Sequence, residues 1–203
     1  MKTLITIFLS CLVLFASAQT AGYKVGDAVS DFSLKNVDGN KVSLADYKDA
    51  KGYIVVFTCN TCPYAIAYQD RLIALNAKYA PLGYPVIAIN PNDAGVQPAD
   101  SYEKNQQRAK EKNFKFPYLT DPDQVVTRQF GPSRTPHVFV VEKSPTGNVV
   151  QYIGAIDNDT EGNNPEKLKY VEAAVDALSS GRKPAVTTTK AIGCTIKWKK
   201  QGA

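Results

Sequence analysis

Apolar and polar stretches alternate along the chain, and they predict strands separated by helices. Tyr53 to Phe57 is a run of β-branched and aromatic residues, the pattern of a strand that is buried on both faces. After a short gap, the stretch from Pro63 to Ala80 favours a helix, with Ile66, Ile73 and Ala77 on one face. We therefore expect a buried strand that leads into an amphipathic helix at the centre of the chain.

The same alternation continues to residue 180. It predicts strands at 85–90, 116–119, 137–141 and 149–155, and helices at 100–113, 121–130 and 164–180. Gly147-Asn148 supplies a turn, so the last two strands are expected to form a hairpin. Strands that alternate with helices predict a mostly parallel sheet, and this hairpin makes the sheet mixed. The expected fold class is α/β, a central mixed β-sheet flanked by helices.

A hairpin extension is predicted ahead of the central strand. Phe32 and Leu34 alternate with polar residues, Val42 and Leu44 do the same, and Asp38-Gly39 supplies the turn between the two runs. Two short alternating runs joined by such a turn are typical of an antiparallel pair. We therefore expect an N-terminal hairpin in addition to the central sheet.

Residues 1–18 have the pattern of a signal peptide. A short basic start is followed by an apolar stretch from Leu4 to Phe15, which is too short to span a membrane comfortably. Ala16-Ser17-Ala18 then matches a cleavage signal, so the mature chain is expected to begin at Gln19. No later stretch is long and apolar enough to predict a transmembrane segment. The protein is predicted to be exported, either periplasmic or secreted.

Length and composition fit one domain with additional segments. The 203 residues are 44% hydrophobic, which is enough for a normal core without cross-links. The formal charge is +5, and residues 182–203 carry six basic and no acidic side chains. A solvated tail is the usual meaning, an anionic membrane surface is the alternative, and export argues against nucleic acid. The predicted division is a signal peptide at 1–18, a main domain at 19–181 and a basic tail at 182–203.

The basic tail contains one cysteine. Cys194, Ile196 and Trp198 alternate with polar residues, so the end of the chain is expected to be a short strand docked on the main domain. Cys194 is either an additional redox thiol that attacks an intermediate elsewhere or a packing residue. An unpaired cysteine in an exported protein is a candidate functional group in either case.

Two other cysteines, Cys59 and Cys62, lie where the central strand leads into its helix. The first turn of a helix offers unpaired N–H groups, which stabilise a thiolate and lower its pKa. Cys59 is expected to be the more exposed sulfur and the nucleophile, with Cys62 one turn further on. Pro63 suits an early helical position. A disulfide that closes so short a loop adds little stability, so the pair is suited to opening and closing.

Two structural interpretations compete with a redox pair. One is a permanent disulfide. The other is zinc, which requires two more ligands at similar spacing, and His137 and Cys194 are the only other soft ligands of the mature chain. A redox-active pair at a strand–helix junction is the favoured interpretation, and no cofactor or bound metal is expected. An oxidising compartment implies a redox partner protein or disulfide substrate that exchanges electrons with the pair.

Three motifs between about residues 23 and 180 carry a resemblance to a known family: Val25-Gly26-Asp27 with Asp31-Phe32-Ser33-Leu34, Phe57 to Tyr64, and Arg134 to Phe139. In these motifs the chain resembles the thioredoxin-like redoxins of the alkyl hydroperoxide reductase/thiol-specific antioxidant (AhpC/TSA) family. The resemblance implies a thioredoxin-like fold and antioxidant or redox activity at the CxxC pair. It also implies that Pro136 is cis and faces the cysteines, with the backbone of Thr135 available to pair with a substrate.

The chain departs from thioredoxins at two positions. Thr58 stands where thioredoxins have a tryptophan, immediately before the first cysteine. Tyr53 stands where they have the buried acid that accepts a proton from the second thiol. The sequence therefore leaves the proton acceptor for Cys62 unidentified.

Two alternative functions remain open. A thiol peroxidase is suggested by Cys62-Pro63, which matches the end of the peroxiredoxin motif. The proline and threonine of that motif are replaced here by Val55 and Cys59. Arg134 is displaced by about two residues from the position of the peroxiredoxin arginine. A Cu(I) chaperone is suggested by Cys59 and Cys62 with His137, since these are soft ligands. The leading interpretation is an exported thiol–disulfide oxidoreductase, and the oligomeric state is not predicted.

Overall fold

A computed structural model describes residues 22–200 as one mixed sheet with helices on both faces. The predicted signal peptide, with Cys11 in its apolar stretch, lies outside the described residues. The strands are β1 (Ala28–Val29), β2 (Ser33–Asn36), β3 (Lys41–Ser43), β4 (Gly52–Phe57), β5 (Val86–Asn90), β6 (Tyr118–Thr120), β7 (His137–Ser144) and β8 (Gly147–Gly154).

The eight strands form a single sheet in the order β1-β8-β7-β4-β5-β6-β2-β3. β4 pairs in parallel with β5, and β5 with β6, whereas the remaining pairs are antiparallel. The mixed sheet and the closing β7–β8 hairpin are therefore confirmed. The N-terminal hairpin β2–β3 is confirmed too, and it extends the sheet beyond β6.

Within residues 22–200, five α-helices flank the sheet. They are α1 (Pro63–Ala67), α2 (Gln69–Tyr79), α3 (Tyr102–Glu111), α4 (Val125–Phe130) and α5 (Tyr170–Ser179). The single helix expected from Pro63 to Ala80 is instead two helices that meet at Tyr68. α4 and α5 begin later than predicted, because the residues before them form turns in which Asp121 and Asp159 accept backbone hydrogen bonds.

The buried face of α1 and α2 also differs from the prediction. Ala65, Tyr68, Leu72, Leu75 and Tyr79 face the core, whereas Ile66 and Ala77 are exposed. Tyrosine rings can take buried positions when their hydroxyl groups find partners. Here Tyr68 donates to the Asp157 carboxylate at 2.7 Å, and Tyr79 donates to Asp176 at 2.8 Å. The sequence pattern misassigned the face because it favoured aliphatic side chains over these tyrosines.

The core has one layer on each side of the sheet. Alternate residues of β4 and β7 supply the two layers, because successive side chains of a strand point to opposite faces. Ile54 packs with α2 and α5 on one side, and Phe57 packs with α4 and the N-terminal segment on the other. The two layers hold β4 rigidly in the middle of the sheet, so the residues that follow Phe57 leave a fixed point.

The basic tail packs against the main domain. Thr188 bridges to Ile153 of β8, and Cys194 bridges to Thr135 just before β7. Ile196 is buried, whereas Trp198 is exposed. The predicted docking is therefore observed as isolated bridges rather than as a continuous strand. No helix among residues 22–200 is long and apolar enough to cross a membrane.

Candidate active site

The cysteine pair lies at the carboxyl end of β4, in the short connection to α1. Thr58 continues from the strand with its N–H on Ile89 of β5, at 2.9 Å. Cys59 follows, and Cys62 is the residue that directly precedes the first turn of α1. α1 begins at Pro63, whose fixed backbone angle suits the first helical position. The helix therefore starts after the second cysteine rather than after the first.

Thr135 contacts both sulfurs. Its Oγ1 lies 3.3 Å from the Cys59 Sγ, and its carbonyl oxygen accepts a hydrogen bond from the Cys62 thiol at 3.1 Å. The bond between Thr135 and Pro136 is cis, as the resemblance implied. Thr135 itself is fully buried. The loop before β7 thus places one residue against the whole cysteine pair.

Cys194 of the basic tail is the third cysteine at this site. Its backbone N–H lies 3.3 Å from the Cys62 Sγ, and its side chain packs on the same small cluster as Cys59, Cys62 and Ala65. The backbones of Cys194 and Thr135 are bonded in both directions, at 2.9 and 3.2 Å. The structure therefore brings Cys194 to the Cys59–Cys62 pair, although it lies 132 positions from Cys62 in the sequence.

The acidity of the three thiols differs because of the hydrogen bonds between them. The hydrogen bond from the Cys59 thiol lowers the pKa of Cys62 to about 5. The Cys194 thiol and the backbone N–H of Ala65 act in the same direction, against the cost of burial. The Thr135 carbonyl accepts from the Cys62 thiol and so favours its protonated form. The Cys59 and Cys194 thiols and the Ala65 N–H favour the Cys62 thiolate, and these donors are more numerous than the one acceptor. The pKa of Cys62 is therefore the lowest of the three thiols.

Cys59 and Cys194 are less acidic than an ordinary thiol. Donation to Cys62 raises the pKa of the Cys59 thiol, and burial and the Asp100 carboxylate raise it further. Burial raises the pKa of Cys194 to about 11, and donation to Cys62 adds to this effect. At neutral pH both therefore remain protonated while Cys62 carries the charge.

The expectation that Cys59 is the more exposed sulfur is wrong. Both Cys59 and Cys62 are only 2% exposed, because Thr135 and the tail cover them. The pKa is lowered at Cys62 rather than at Cys59 because the Cys59 thiol donates a hydrogen bond to the Cys62 sulfur, and the backbone N–H of Ala65 in α1 acts in the same direction. The sequence pattern located both the junction and the start of the helix at Pro63 correctly.

A buried polar network anchors the loop between the cysteines. The Asp100 carboxylate accepts from the Asn60 N–H at 2.7 Å and from the Thr61 hydroxyl at 3.0 Å. Asn92 donates to the same carboxylate at 2.7 Å, and Asn105 accepts from the Asn60 side chain at 2.7 Å. Asp100 is 2% exposed, so this carboxylate is enclosed by its donors. The network fixes both residues between Cys59 and Cys62.

The sequence pattern does not predict this network. The helix expected at 100–113 begins at Tyr102 and is capped by Ser101, which accepts from the Lys104 N–H, so Asp100 lies before the helix and is free to bind the cysteine loop. One signal was present: Asn60 follows β4, and Asn90 is the last residue of β5, which pairs with β4 in parallel. The carboxyl ends of parallel strands meet at one edge of a sheet, so polar residues there come together.

Two other predicted site residues lie close to the sulfurs or to the tail. Thr58 is buried beside Cys59, and its Oγ1 has no partner among the described residues. Arg134 is exposed, and its Nη1 lies 3.5 Å from the carbonyl oxygen of Gly193 in the tail. The structure thus links Arg134 to the covering segment rather than to a sulfur.

His137 does not join the cysteines. It lies on the face of β7 that carries Phe139, and its Nδ1 accepts from the Ser133 N–H at 3.1 Å. Burial lowers the pKa of His137 to about 4, so the ring is neutral. No group of three or more histidine, cysteine or acidic side chains suited to a metal is formed within residues 22–200. The three-ligand arrangement behind the Cu(I) alternative is therefore not found, because strand alternation turns His137 toward the opposite core layer.

Comparison with known proteins identifies the family. The profile of the AhpC/TSA family matches residues 25–152, and the chain belongs to this family. A Mycobacterium tuberculosis protein named as a peroxiredoxin is 29% identical over 110 residues, which cover 52% of this chain and 62% of that protein. The chain thus matches less than two thirds of the length of this curated relative.

Solved structures show the same architecture. An uncharacterized conserved protein of Geobacillus kaustophilus is 34% identical, and the match covers 90% of this chain and 96% of that one at a TM-score of 0.81. A thiol:disulfide interchange protein DsbE of Chlorobium tepidum matches 64% of this chain and 84% of its own at 21% identity and a TM-score of 0.52, and this likeness shows the fold. The thioredoxin-like fold is confirmed.

Proposed function

We propose that this protein is an exported thiol–disulfide oxidoreductase in which Cys59 and Cys62 alternate between a dithiol and a disulfide. The packing of Cys59 and Cys62 in one buried cluster, with Thr135 in contact with both sulfurs, carries the proposal, since it holds two thiols of opposite acidity side by side. A disulfide across so short a loop is suited to exchange rather than to stabilisation. The substrates are protein or small-molecule disulfides, and a redox partner protein restores the pair.

The reaction starts at the more acidic sulfur. The Cys62 thiolate attacks one sulfur of the substrate disulfide, the substrate S–S bond breaks, and the first substrate thiolate leaves with the electron pair and takes up a proton. Cys59 then loses its proton and attacks the Cys62 sulfur, which releases the second substrate thiol. The substrate gains two electrons, and Cys59 and Cys62 lose them in forming their disulfide. The same steps in reverse oxidise a substrate dithiol.

This assignment reverses the roles expected from the sequence, where Cys59 is the attacking thiol. The lowered pKa of Cys62 and the raised pKa of Cys59 support the reversal. Thr135 and Pro136 are proposed to position the substrate, because the Thr135 backbone already pairs with an extended segment at the sulfurs. A substrate strand in that position has its cysteine next to Cys62.

Peroxide reduction is the second candidate. It is favoured by one observation, a low-pKa Cys62 immediately before Pro63 at the start of α1, together with the peroxiredoxin name of the mycobacterial relative. In that reaction the Cys62 thiolate attacks the peroxide O–O bond and becomes a sulfenic acid. Cys59 then attacks this sulfur, water leaves, and the same Cys59–Cys62 disulfide results.

One pair of rates separates the two functions. A variant carrying Cys11→Ser and Cys194→Ser retains only Cys59 and Cys62, and its reduced form is mixed with oxidised glutathione or with hydrogen peroxide. We expect rapid loss of two hydrogen atoms by intact mass with the disulfide, at least about 10-fold faster than with peroxide. The opposite order, with a sulfenic acid trapped at Cys62, would assign a peroxidase.

Single-cysteine variants of the same protein identify the attacking sulfur. Cys59→Ser keeps a hydroxyl donor beside Cys62, and Cys62→Ser keeps Cys59 alone. We expect the Cys59→Ser protein to form its glutathione adduct at least about 10-fold faster at neutral pH, because only Cys62 is a thiolate there. A faster Cys62→Ser protein would restore the roles expected from the sequence.

Location and chain division are part of the proposal. The signal-peptide pattern of residues 1–18 supports export, with residues 19–181 as the functional domain and 182–203 as the tail. Expression of the full chain in a bacterial host, followed by N-terminal sequencing of the periplasmic fraction, tests this. Recovery of a protein that begins at Gln19 supports export, and retention of the uncleaved chain in the cytoplasm contradicts it.

A further inference from the structure

The tail occupies the position that a substrate strand needs. The Thr135 N–H donates to the Cys194 carbonyl at 2.9 Å, and the Cys194 N–H lies 3.2 Å from the Thr135 carbonyl. These two bonds form an antiparallel bridge, the way in which an extended peptide adds to a strand edge. The residue in the bridge is itself a cysteine. Residues 193–195, which we name the tail bridge, therefore present a thiol to the active site as a bound peptide would.

The approach of the tail is close enough to require a glycine. A Cβ atom on Gly193 would collide with the carbonyl group of Thr135 and would crowd the nitrogen of Pro136. Arg134 adds a polar contact to the Gly193 carbonyl at 3.5 Å, and Ile196 is buried just beyond. Contacts on both sides of Cys194 thus hold the tail bridge on the Thr135–Pro136 peptide.

The tail bridge leaves the sulfurs of Cys59 and Cys62, the inner sulfurs, covered and Cys194 partly exposed. Cys59 and Cys62 are each 2% exposed, whereas Cys194 is half-buried. A large substrate therefore meets Cys194 first, while the backbone N–H of Cys194 already lies 3.3 Å from the Cys62 sulfur. Because exchange requires contact between thiol and disulfide, Cys194 is the thiol placed to connect the pair with the surface.

We propose that Cys194 is a third redox-active cysteine. It exchanges with the buried Cys59–Cys62 disulfide to form a Cys62–Cys194 disulfide, which lies closer to the surface. The proposal rests on the proposed exchange at Cys59 and Cys62. It assigns Cys194 to the reaction itself rather than to packing. The partner is a protein dithiol or disulfide that reaches the tail bridge.

The step is balanced without an additional oxidant. After the pair is oxidised, the Cys194 thiolate attacks the Cys62 sulfur, the Cys62–Cys194 bond forms and the Cys59–Cys62 bond breaks. The electron pair leaves on the Cys59 sulfur, which takes up the proton that Cys194 lost. One thiol of a protein dithiol then attacks the Cys194 sulfur, forms a mixed disulfide and releases Cys62 as a thiolate. The second thiol of the partner attacks this mixed disulfide, closes the partner's own disulfide and releases Cys194, which takes up a proton.

The charge around Cys194 changes in favour of this step when the pair is oxidised. In the reduced site, the hydrogen bond to the Cys62 sulfur and its negative charge help to raise the pKa of Cys194. A disulfide at Cys62 carries no charge, so this effect is removed. Lys197 and Arg134, which lower the pKa of Cys194, remain in place. Cys194 is thus more easily deprotonated when an inner disulfide is present to attack.

Disulfide mapping tests the proposal directly. Reduced Cys59→Ala protein in a Cys11→Ser background retains only Cys62 and Cys194, and it is treated with oxidised glutathione, acidified and digested. We expect loss of two hydrogen atoms and a cross-linked peptide that contains Cys62 and Cys194, with less than about a tenth of the protein left as a glutathione adduct. A persistent adduct on Cys62 without this cross-link would overturn the proposal.

Two matched variants in the same background provide controls. Cys62→Ala retains Cys59 and Cys194, and we expect it to give glutathione adducts without a cross-link. A Cys59–Cys194 cross-link in this variant would contradict the assignment of Cys62 as the exchanging sulfur. Cys194→Ser retains the inner pair and is expected to form the Cys59–Cys62 disulfide. If it does so while Cys59→Ala gives no cross-link, only the third-cysteine proposal fails. If Cys194→Ser forms no disulfide, the proposed function itself fails.

A kinetic readout separates a redox role from a covering role. The oxidised protein is reduced by dithiothreitol or by a reduced thioredoxin, with and without Cys194→Ser. We expect the variant to react about 10-fold more slowly with the protein dithiol and equally fast with the small one, because only the protein depends on Cys194 to reach the pair. Equal rates of the wild-type protein and the Cys194→Ser variant with thioredoxin would contradict the proposed exchange through Cys194.

Discussion

The carboxylate of Asp100 accepts a 2.7 Å hydrogen bond from the backbone N–H of Asn60, the residue that directly follows the first active-site cysteine. The two residues are 40 positions apart in the chain, and both are buried. A buried carboxylate requires several donors to remain charged, and the donors here come from the cysteine loop and the next loop of the sheet. The geometry of the cysteine pair therefore depends on a residue outside the pair.

Replacement of this carboxylate should loosen the cysteine loop. Asp100→Asn removes the charge and directs an amide NH₂ group toward donors, so we expect the free energy of unfolding to fall by about 2 kcal/mol. Because the Asp100 carboxylate raises the pKa of Cys59, that pKa should also fall. Urea unfolding and thiol titration measure the two effects.

Asp123→Asn is the matched control for that change. The Asp123 side chain is exposed and contacts Lys199 at 3.4 Å, so its loss should change the free energy of unfolding by less than about 0.5 kcal/mol. Equal stability of the two variants would show that the Asp100 network does not hold the loop.

The reactivity of Cys62 should rise with pH around its lowered pKa. The pKa of Cys62 is lowered to about 5, so thiolate absorbance and reaction with iodoacetamide should rise with a midpoint near that value. The same shift stabilises the folded reduced protein above the unfolded thiol pKa, and this stabilisation should be lost as the pH falls through about 5. In Cys62→Ser the low midpoint should disappear. A midpoint near the ordinary thiol value in the wild-type protein would contradict the assignment.

The tail bridge should protect the inner sulfurs, and one methyl group should remove the protection. Gly193→Ala introduces a Cβ that collides with Thr135, so the tail must move away. We expect alkylation of Cys62 by iodoacetamide to become about 10-fold faster, since burial limits access to this thiolate. Ile192→Ala, whose side chain is exposed, is the control and should react as the wild type does. Unchanged protection in Gly193→Ala would show that the tail is not the cover.

The buried histidine should make stability depend on pH below neutrality. Burial lowers the pKa of His137 to about 4, whereas the unfolded chain binds the proton near pH 6.5. Between these values the unfolded state holds more protons, so the His137 contribution to stability declines as the pH falls, by up to about 3 kcal/mol. Urea unfolding between pH 4 and 7 should show a shallower slope in His137→Gln. An identical slope in both proteins would exclude His137 as the cause.

Several features were predictable because they depend on local pattern. The buried run before Cys59 and the alternation of strands and helices identified the mixed α/β sheet. The proline before β7 is cis, as its resemblance to the family motif implied. Helix starts were less accurate: the loops before α4 and α5 use carboxylates to bind backbone N–H groups, and a turn of that kind has the composition of a helix cap.

The sequence alone determined which strand leads to the cysteines, the order of elements around them, and the position of the cysteine pair at the strand–helix junction, because these depend on hydrophobic periodicity and short-range spacing. Tertiary structure alone decided what holds the loop between the cysteines and what covers the pair. Those properties come from contacts across long stretches of chain, between Asn60 and Asp100 and between Cys62 and Cys194. A linear pattern does not encode such contacts, because hydrogen bonds and burial depend on which distant residues the fold brings together.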